Sequence, residues 1–220
     1  MGIGRQSRRY SSILQNTAIR KRRKDKARRA FPEREDLCDD LRMTDDANKF
    51  PNVAFIDGQN LHLGTREKGW RVNHARLRVY LRDKYKVGEA YYFLGFVSEV
   101  EQDLYDNLQK AGFILSFREH SAALKGKKKG NVDCDIIFGL MKKLVENEPF
   151  DKAFIVSGDG DYKKLVDYLI KKDKFGKMLF PNQEFASSLY KSLGSEHYAH
   201  LGDPDVKKKI AHRPEMKKAP

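Results

Sequence analysis

The sequence predicts an α/β fold in which a central, mainly parallel β-sheet carries helices on both faces. From Asn52 onward, short apolar segments alternate with longer segments whose apolar residues recur at helical spacing. The short segments are hydrophobic almost throughout, as expected for strands covered on both faces. The chain of 220 residues is long enough for one such domain with tails.

The first half of this region supplies three predicted strands and two predicted helices. The strands are residues 52–57, 89–96 and 113–120, and the helices are residues 73–85 and 98–112. The first helix has four apolar residues at helical spacing, namely Leu77, Tyr80, Leu81 and Tyr85. The second begins with Ser98 followed three residues later by Glu101, which is a capping box, and ends at Gly112.

The second half continues the alternation. The strands are residues 152–159 and 177–182, and the helices are residues 132–147, 162–172 and 184–194. The helix at 132–147 has an apolar side formed by Ile136, Ile137, Leu140 and Leu144. The last helix is expected to end at Gly194, a residue typical of helix C-termini.

Charge divides the chain into four parts. The predicted divisions are a basic arm at 1–34, an acidic linker at 35–51, the domain at 52–202 and a basic tail at 203–220. The arm has a net charge of +10 and the tail +3, whereas residues 35–202 are neutral. A basic arm on a neutral domain indicates a polyanionic partner such as RNA. The alternative is a solubilising tail without a specific role.

Compartment signals favour the cytoplasm. No apolar run approaches the roughly 20 residues of a membrane span. The N-terminal SRRYSSILQN resembles a twin-arginine signal but is followed by TAIRKRRKDKARR instead of an apolar segment, which argues against export. The cysteines, Cys38 and Cys134, are far apart and indicate neither a disulfide framework nor a zinc finger.

Acidic residues follow predicted strands or begin a predicted helix. Asp57 ends the first strand with Asn60 after it, Asp133 and Asp135 lie at a helix start, and Asp159 and Asp161 follow a later strand. In a parallel sheet such positions can converge at the carboxyl edge, where ligands bind. Gathered carboxylates repel one another and favour a bound divalent cation, and hard oxygen ligands suit Mg²⁺ or Mn²⁺.

Each acidic residue also has a purely structural explanation. Asp57 before Gly58 is typical of a turn, and Asp133 or Asp161 is typical of a helix N-cap. Because Asp133 and Asp135 are two residues apart, a helix starting at Asp133 would direct only one of them towards a metal. The combination of three acidic places in one domain favours the metal site.

These segments resemble the NYN domain, a PIN-like ribonuclease family, and most closely its bacterial LabA-like members. The similarity extends from about residue 52 to residue 194. It rests on three motifs, VAFIDGQN at 53–60, KGNVDCDI at 129–136 and SGDGDY at 157–162. Tyr162 stands where the family usually has Phe.

The resemblance implies a PIN-like, Rossmannoid three-layer α/β/α fold and Mg²⁺- or Mn²⁺-dependent cleavage of RNA. The implied catalytic residues are Asp57, Asn60, Asp133, Asp159 and Asp161. The four aspartates would bind the metal, with Asp135 as an additional acidic partner, and Asn60 would orient Asp57 or touch the substrate. Because PIN-like relatives often form dimers, a homodimer is a further expectation.

Basic residues near these positions are candidates for binding the RNA backbone. They are Lys125, Lys127, Lys128 and Lys129 before the Asp133 helix, and Arg66 and Arg71 after the first strand. Ser157 can offer a hydroxyl to a phosphate. The single tryptophan, Trp70, either stacks on a base or anchors the core. The alternative for the lysine run is a solvated loop.

The sequence therefore favours a ribonuclease that cleaves phosphodiester bonds with metal-activated water. The alternative is a non-catalytic RNA-binding or regulatory module with the same fold, and the complete acidic set favours the enzyme. A phosphatase of the haloacid dehalogenase type is disfavoured. That family needs a D-x-D pair after its first strand, where this sequence reads DGQN.

Overall fold

A computed structural model describes residues 50–95, 97–118 and 132–213. The strands within this part are β1 (Asn52–Asp57), β2 (Val87–Leu94), β3 (Ile114–Phe117), β4 (Ala153–Val156), β5 (Phe175–Phe180) and β6 (Tyr198–His200). They form one sheet in the order β3-β2-β1-β4-β5-β6, and every neighbouring pair is parallel. The predicted parallel α/β architecture is confirmed.

Helices cover both faces of this sheet. They are α1 (Gly58–Glu67), α2 (His74–Tyr85), α3 (Gln102–Lys110), α4 (Asp133–Val145), α5 (Lys163–Lys171) and α6 (Pro204–Ile210). One core contains side chains of α1, α2, α3 and α6, and the other contains those of α4 and α5. Strand β1 lies between them, because Ala54 and Ile56 belong to the first core whereas Val53 and Phe55 belong to the second.

The strand order positions the candidate site. The chain runs outward from β1 to β2 and β3, and then returns to the other side of β1 with β4. The carboxyl ends of β1 and β4 are therefore adjacent, with Ile56 paired to Val156. The chain segments that follow these two strands meet at the point where the strand order reverses, which is where open α/β sheets bind ligands.

The apolar spacing predicted α2 and α4 correctly. All four apolar residues singled out in α2 are buried. In α4, Ile136 and Leu140 are completely buried, and Ile137 and Leu144 pack against the same core. This helix begins at Asp133, one residue after the predicted start.

The prediction of a helix at residues 184–194 was wrong. The structure has short 3-10 turns there, at Gln183–Phe185 and Ser188–Tyr190, and another at Ser195–His197. Between the first two, the backbone of Ser187 is not helical and its Oγ accepts the Leu189 N–H at 3.3 Å, a local bond that competes with helix formation. Gly194 precedes a turn instead of ending a helix.

The capping box at Ser98 was also wrong. The Ser98 side chain makes no cap hydrogen bond, and a 3-10 turn at Glu99–Glu101 precedes α3. The Ser98 backbone N–H instead donates to the Tyr105 hydroxyl at 3.0 Å. A contact with the buried face of α3 thus replaces the local cap.

The packed fold continues past residue 202, where the charge pattern had placed its end. Helix α6 packs against α2, Ile210 is completely buried, and its carbonyl accepts the Asn73 N–H at 2.8 Å. Trp70 is buried beneath this region, with Lys207 Nζ 5.6 Å from its ring centroid. Of the two roles weighed for Trp70, the structure shows the packing anchor.

Candidate metal and nucleic-acid site

The end of β1 places Asp57 at the base of the candidate site. Asp57 is the N-cap of α1, and its Oδ1 accepts a 2.9 Å hydrogen bond from the Asn60 N–H. The residue is only 5% exposed. A Cβ on Gly58 would lie 2.5 Å from Tyr92 Cε1, so a glycine is needed where α1 starts against β2. This close packing fixes the direction of the Asp57 carboxylate.

The loop after β4 is tied to the end of β1. The Asn60 Oδ1 accepts the Gly158 N–H at 2.9 Å, and the Tyr190 hydroxyl donates to the Asp159 carbonyl at 2.6 Å. Asp159 is the N-cap of the following turn, because its Oδ1 accepts the Asp161 N–H at 3.1 Å. The expectation that Asp161 is the cap was wrong, and its carboxylate is left exposed.

Close packing sets the shape of the same loop. Ser157 is completely buried, and its Oγ accepts the Asp159 N–H at 3.1 Å. A Cβ on Gly160 would lie 2.5 Å from Ser187 Oγ, so a side chain at this position would displace the neighbouring turn. The structure thus places Ser157 beneath the loop, away from solvent.

Helix α4 brings Asp133 to the same place. Asp133 is its first residue and is 5% exposed. The Tyr162 hydroxyl donates to Asp133 Oδ1 and lies 3.4 Å from Asp57 Oδ2. Tyr162 is completely buried. Its hydroxyl therefore connects, inside the protein, the carboxylate at the end of β1 with the carboxylate at the start of α4. Sequence reasoning missed this role, although the substitution of Tyr for the family's Phe was its signal.

Three carboxylates have the spacing of a cation site. Oxygens of Asp133, Asp159 and Asp161 all lie within 4.8 Å of one another, the first residue being buried and the last exposed. Ligands on opposite sides of Mg²⁺ are about 4.2 Å apart, twice its ligand distance of about 2.1 Å. The donors are hard oxygens, and the exposed side leaves access for a substrate. The residues present therefore fit a small divalent cation.

The pKa values of the site reflect burial first and the neighbouring acidic charges second. Burial raises the pKa of Asp57 to about 6, and the charges of Asp133 and Asp159 add to the increase. The Asn60 N–H and the Tyr162 hydroxyl act in the opposite direction. Burial, with the charge of Asp57 next, also raises the pKa of Tyr162 above its ordinary value, which keeps this hydroxyl a neutral donor.

Asp135 does not join the other acidic residues. It lies two residues beyond Asp133 and lines a separate groove beside Phe93 and Arg118. Among the described residues, its buried Oδ2 has no hydrogen-bond partner. Helical geometry separated the two aspartates, as the sequence spacing anticipated.

The predicted RNA-binding residues are only partly within the described structure. Arg66 lies in the last turn of α1, and both Arg66 and Arg71 are exposed. Their neighbour Lys68 forms an ion pair with Glu184. Lys125, Lys127, Lys128 and Lys129 lie outside the described residues, as do the basic arm at 1–34 and most of the linker at 35–51.

The parallel sheet with an acidic cluster at its switch point defines a Rossmann-like α/β protein with a candidate divalent-metal site. The NYN domain model matches residues 52–196, and the chain belongs to the NYN domain family. This family is part of the PIN-like nuclease superfamily, which supports a nuclease-like, nucleic-acid-related role.

Two individual proteins are similar to this chain. The chain is 24% identical over 129 residues to the "Low amplitude and bright protein LabA" of Synechococcus elongatus, a match covering 54% of this chain and 68% of that protein. A crystal structure of a protein of unknown function from Vibrio parahaemolyticus has a TM-score of 0.57 at 16% identity. That match covers 77% of this chain and all of the other, and supports the fold. No helix in the described part is long and apolar enough to cross a membrane.

Proposed function

We propose that this protein is a metal-dependent ribonuclease that hydrolyses RNA phosphodiester bonds. The observation that carries the proposal is the convergence of Asp133, Asp159 and Asp161 beside the buried Asp57. They come from three separate segments of the sequence, and a divalent cation bound between them would offset their mutual repulsion. A cluster that served only as turns and caps would not require this grouping.

The residues of the site have different roles in this proposal. Asp133, Asp159 and Asp161 would hold Mg²⁺ or Mn²⁺, which when bound supplies charge stabilisation and activation of water. Tyr162 orients Asp133 and Asp57 through its hydroxyl. Asn60 is a positioning residue, because both its backbone N–H and its side-chain oxygen are used to fix the site.

The proposal that the substrate is RNA rests on positively charged residues. Arg66 and Arg71 are exposed, and the lysine run at 125–129 precedes Asp133 in the sequence. Together with the basic arm, they would attract the phosphate backbone. RNA as partner, a homodimer and a cytoplasmic location all remain predictions.

The test is cleavage of a mixed pool of labelled RNAs in Mn²⁺, Mg²⁺ or EDTA. Wild type and Asp103→Asn, a matched change at an exposed position of α3, should cleave only with metal. Asp159→Asn should not cleave, and Mn²⁺ should raise its melting temperature less than that of wild type. Cleavage in EDTA or by Asp159→Asn would refute the mechanism. RNA bound by wild type but uncut would favour the non-catalytic module.

A further inference from the structure

A groove opens beside the acidic cluster, between strands β2 and β3 and along helix α4. It has a volume of about 640 Å³ and is lined by aromatic, basic and acidic side chains. Small-molecule sites have volumes of about 300–1,000 Å³, and the groove lies within this range. None of the roles described above uses this groove.

The groove has an ordered aromatic wall. Phe55 stacks on Tyr91 with ring centroids 5.1 Å apart, and on Phe93 at 5.6 Å, with both ring pairs nearly parallel. At the rim, Phe138 on α4 is 70% exposed. An exposed phenyl ring at the edge of a groove offers a flat surface for stacking a planar ligand.

Two buried polar atoms in the groove have no partner among the described residues. They are Arg118 Nη1, a donor, and Asp135 Oδ2, an acceptor. Leaving such groups unpaired is costly, so each one can form a hydrogen bond with a ligand or a water molecule that enters the groove. Lys143 differs, because its ammonium pairs with Glu89 and Glu148. The groove thus presents one free donor and one free acceptor beside aromatic rings.

The groove is next to the proposed site of cleavage. Phe55 precedes Asp57 by two residues on β1, so both side chains lie on the same side of the sheet. Phe93 is the partner of Asp57 in the β1–β2 register. Asp135 follows Asp133 by two residues at the start of α4. A nucleic-acid strand with one phosphate at the acidic cluster would bring an adjacent nucleotide to this groove.

We propose that the groove is a base-binding subsite that receives an unpaired nucleobase next to the cleaved phosphate. The base stacks on Phe138, while its polar edge accepts from Arg118 and donates to Asp135. A base in a duplex is engaged in pairing and is not available for this contact. The inference rests on the proposed ribonuclease function, to which it adds a base-binding subsite beside the acidic cluster.

The test uses short single-stranded RNAs with 2-aminopurine at each position in turn, titrated by fluorescence in EDTA, where the proposed reaction does not proceed. We expect strong quenching at one position. Phe138→Ala should reduce this quenching and weaken binding about tenfold, consistent with the loss of one stacked base. Val145→Ala removes an equally exposed apolar side chain from the same helix and should change affinity less than twofold.

A duplex of the same sequence should compete at least tenfold less well than the single strand. Equal competition, or equal binding by Phe138→Ala and Val145→Ala, would overturn the inference. If either of these two results is found but wild type still binds RNA and cleaves it with metal, only the inference is wrong and the proposed ribonuclease function stands. If wild type binds no RNA, the proposed function and the inference both fail.

Discussion

Replacement of Asp57 by Asn should stabilise the metal-free protein although it damages the proposed site. The pKa of Asp57 is raised from 3.8 to about 6. A shift of this size corresponds to about 3 kcal/mol, since one unit corresponds to 1.36 kcal/mol. Because the pKa is higher in the folded state, the folded protein holds the proton more tightly than the unfolded chain does. The free energy of unfolding therefore falls as the pH rises through this window.

Asparagine at position 57 has no charge, so the variant does not undergo the fall in the free energy of unfolding that the wild type shows as the pH rises towards 6 and above. Its side-chain oxygen can still accept the Asn60 N–H, whereas the weaker contact with Tyr162 is worth about 1 kcal/mol at most. We therefore expect Asp57→Asn to raise the free energy of unfolding by about 2 kcal/mol at pH 7.5 in EDTA. At pH 4 the gain should largely disappear, since most of the wild-type carboxyl is then protonated in the folded protein.

The assay is urea unfolding of both proteins at pH 4 and pH 7.5, with Asp103→Asn as the control. Asp103 is exposed, so its replacement should change the free energy of unfolding by less than about 0.5 kcal/mol. If Asp57→Asn is less stable than wild type at pH 7.5, or its advantage is the same at both pH values, the electrostatic reasoning is wrong. Mn²⁺ should reduce the difference in the free energy of unfolding between Asp57→Asn and wild type at pH 7.5, because a bound cation offsets the negative charge of the wild-type site.

Three other changes test the loop, the hydroxyl bridge and the basic arm. Tyr162→Phe removes a donor to the buried Asp133, and urea unfolding at pH 7.5 should show a loss of about 1–3 kcal/mol; an unchanged midpoint would argue against the bridge. Gly160→Ala crowds a neighbouring hydroxyl and should cost about 1–3 kcal/mol in thermal unfolding, whereas Gly95→Ala, with open space around it, should not. Removal of residues 1–34 should weaken RNA binding and flatten its salt dependence in filter binding, and an unaltered slope would contradict a role for the arm.

Local sequence patterns predicted the parts of the fold that local physics determines. Helix α2 follows from its apolar spacing, and the acidic residues at the ends of β1 and β4 follow from apolar runs that stop at aspartates. The parallel arrangement follows from the alternation of strands and helices. The strand order then brings these acidic ends together, which the sequence could suggest but not establish.

Features that depend on contacts between residues far apart in the sequence could not be predicted from local sequence patterns. Residues 184–194 have helical composition, but Ser187 bonds locally and Tyr190 bonds to the loop after β4, so short turns form instead. The same holds for the Tyr162 hydroxyl, whose partners are 29 and 105 residues away. Asp135 differs from Asp133 only by its position around the helix, so composition alone does not separate them.

The hydrogen bond between Asn60 and Gly158 has a consequence for how the protein is made. Its two partners are 98 residues apart, and they join segments that the ribosome delivers early and late. A nascent chain that has emerged only through β3 has Asp57 but lacks Asp133, Asp159 and Asp161. Long-range pairing of β1 with β4 is also slow to form, because a large loop must close first. The acidic centre is therefore absent until the segment that carries Asp159 and Asp161 has left the ribosome, and the proposed RNA-cutting activity would not arise beside the message before that point.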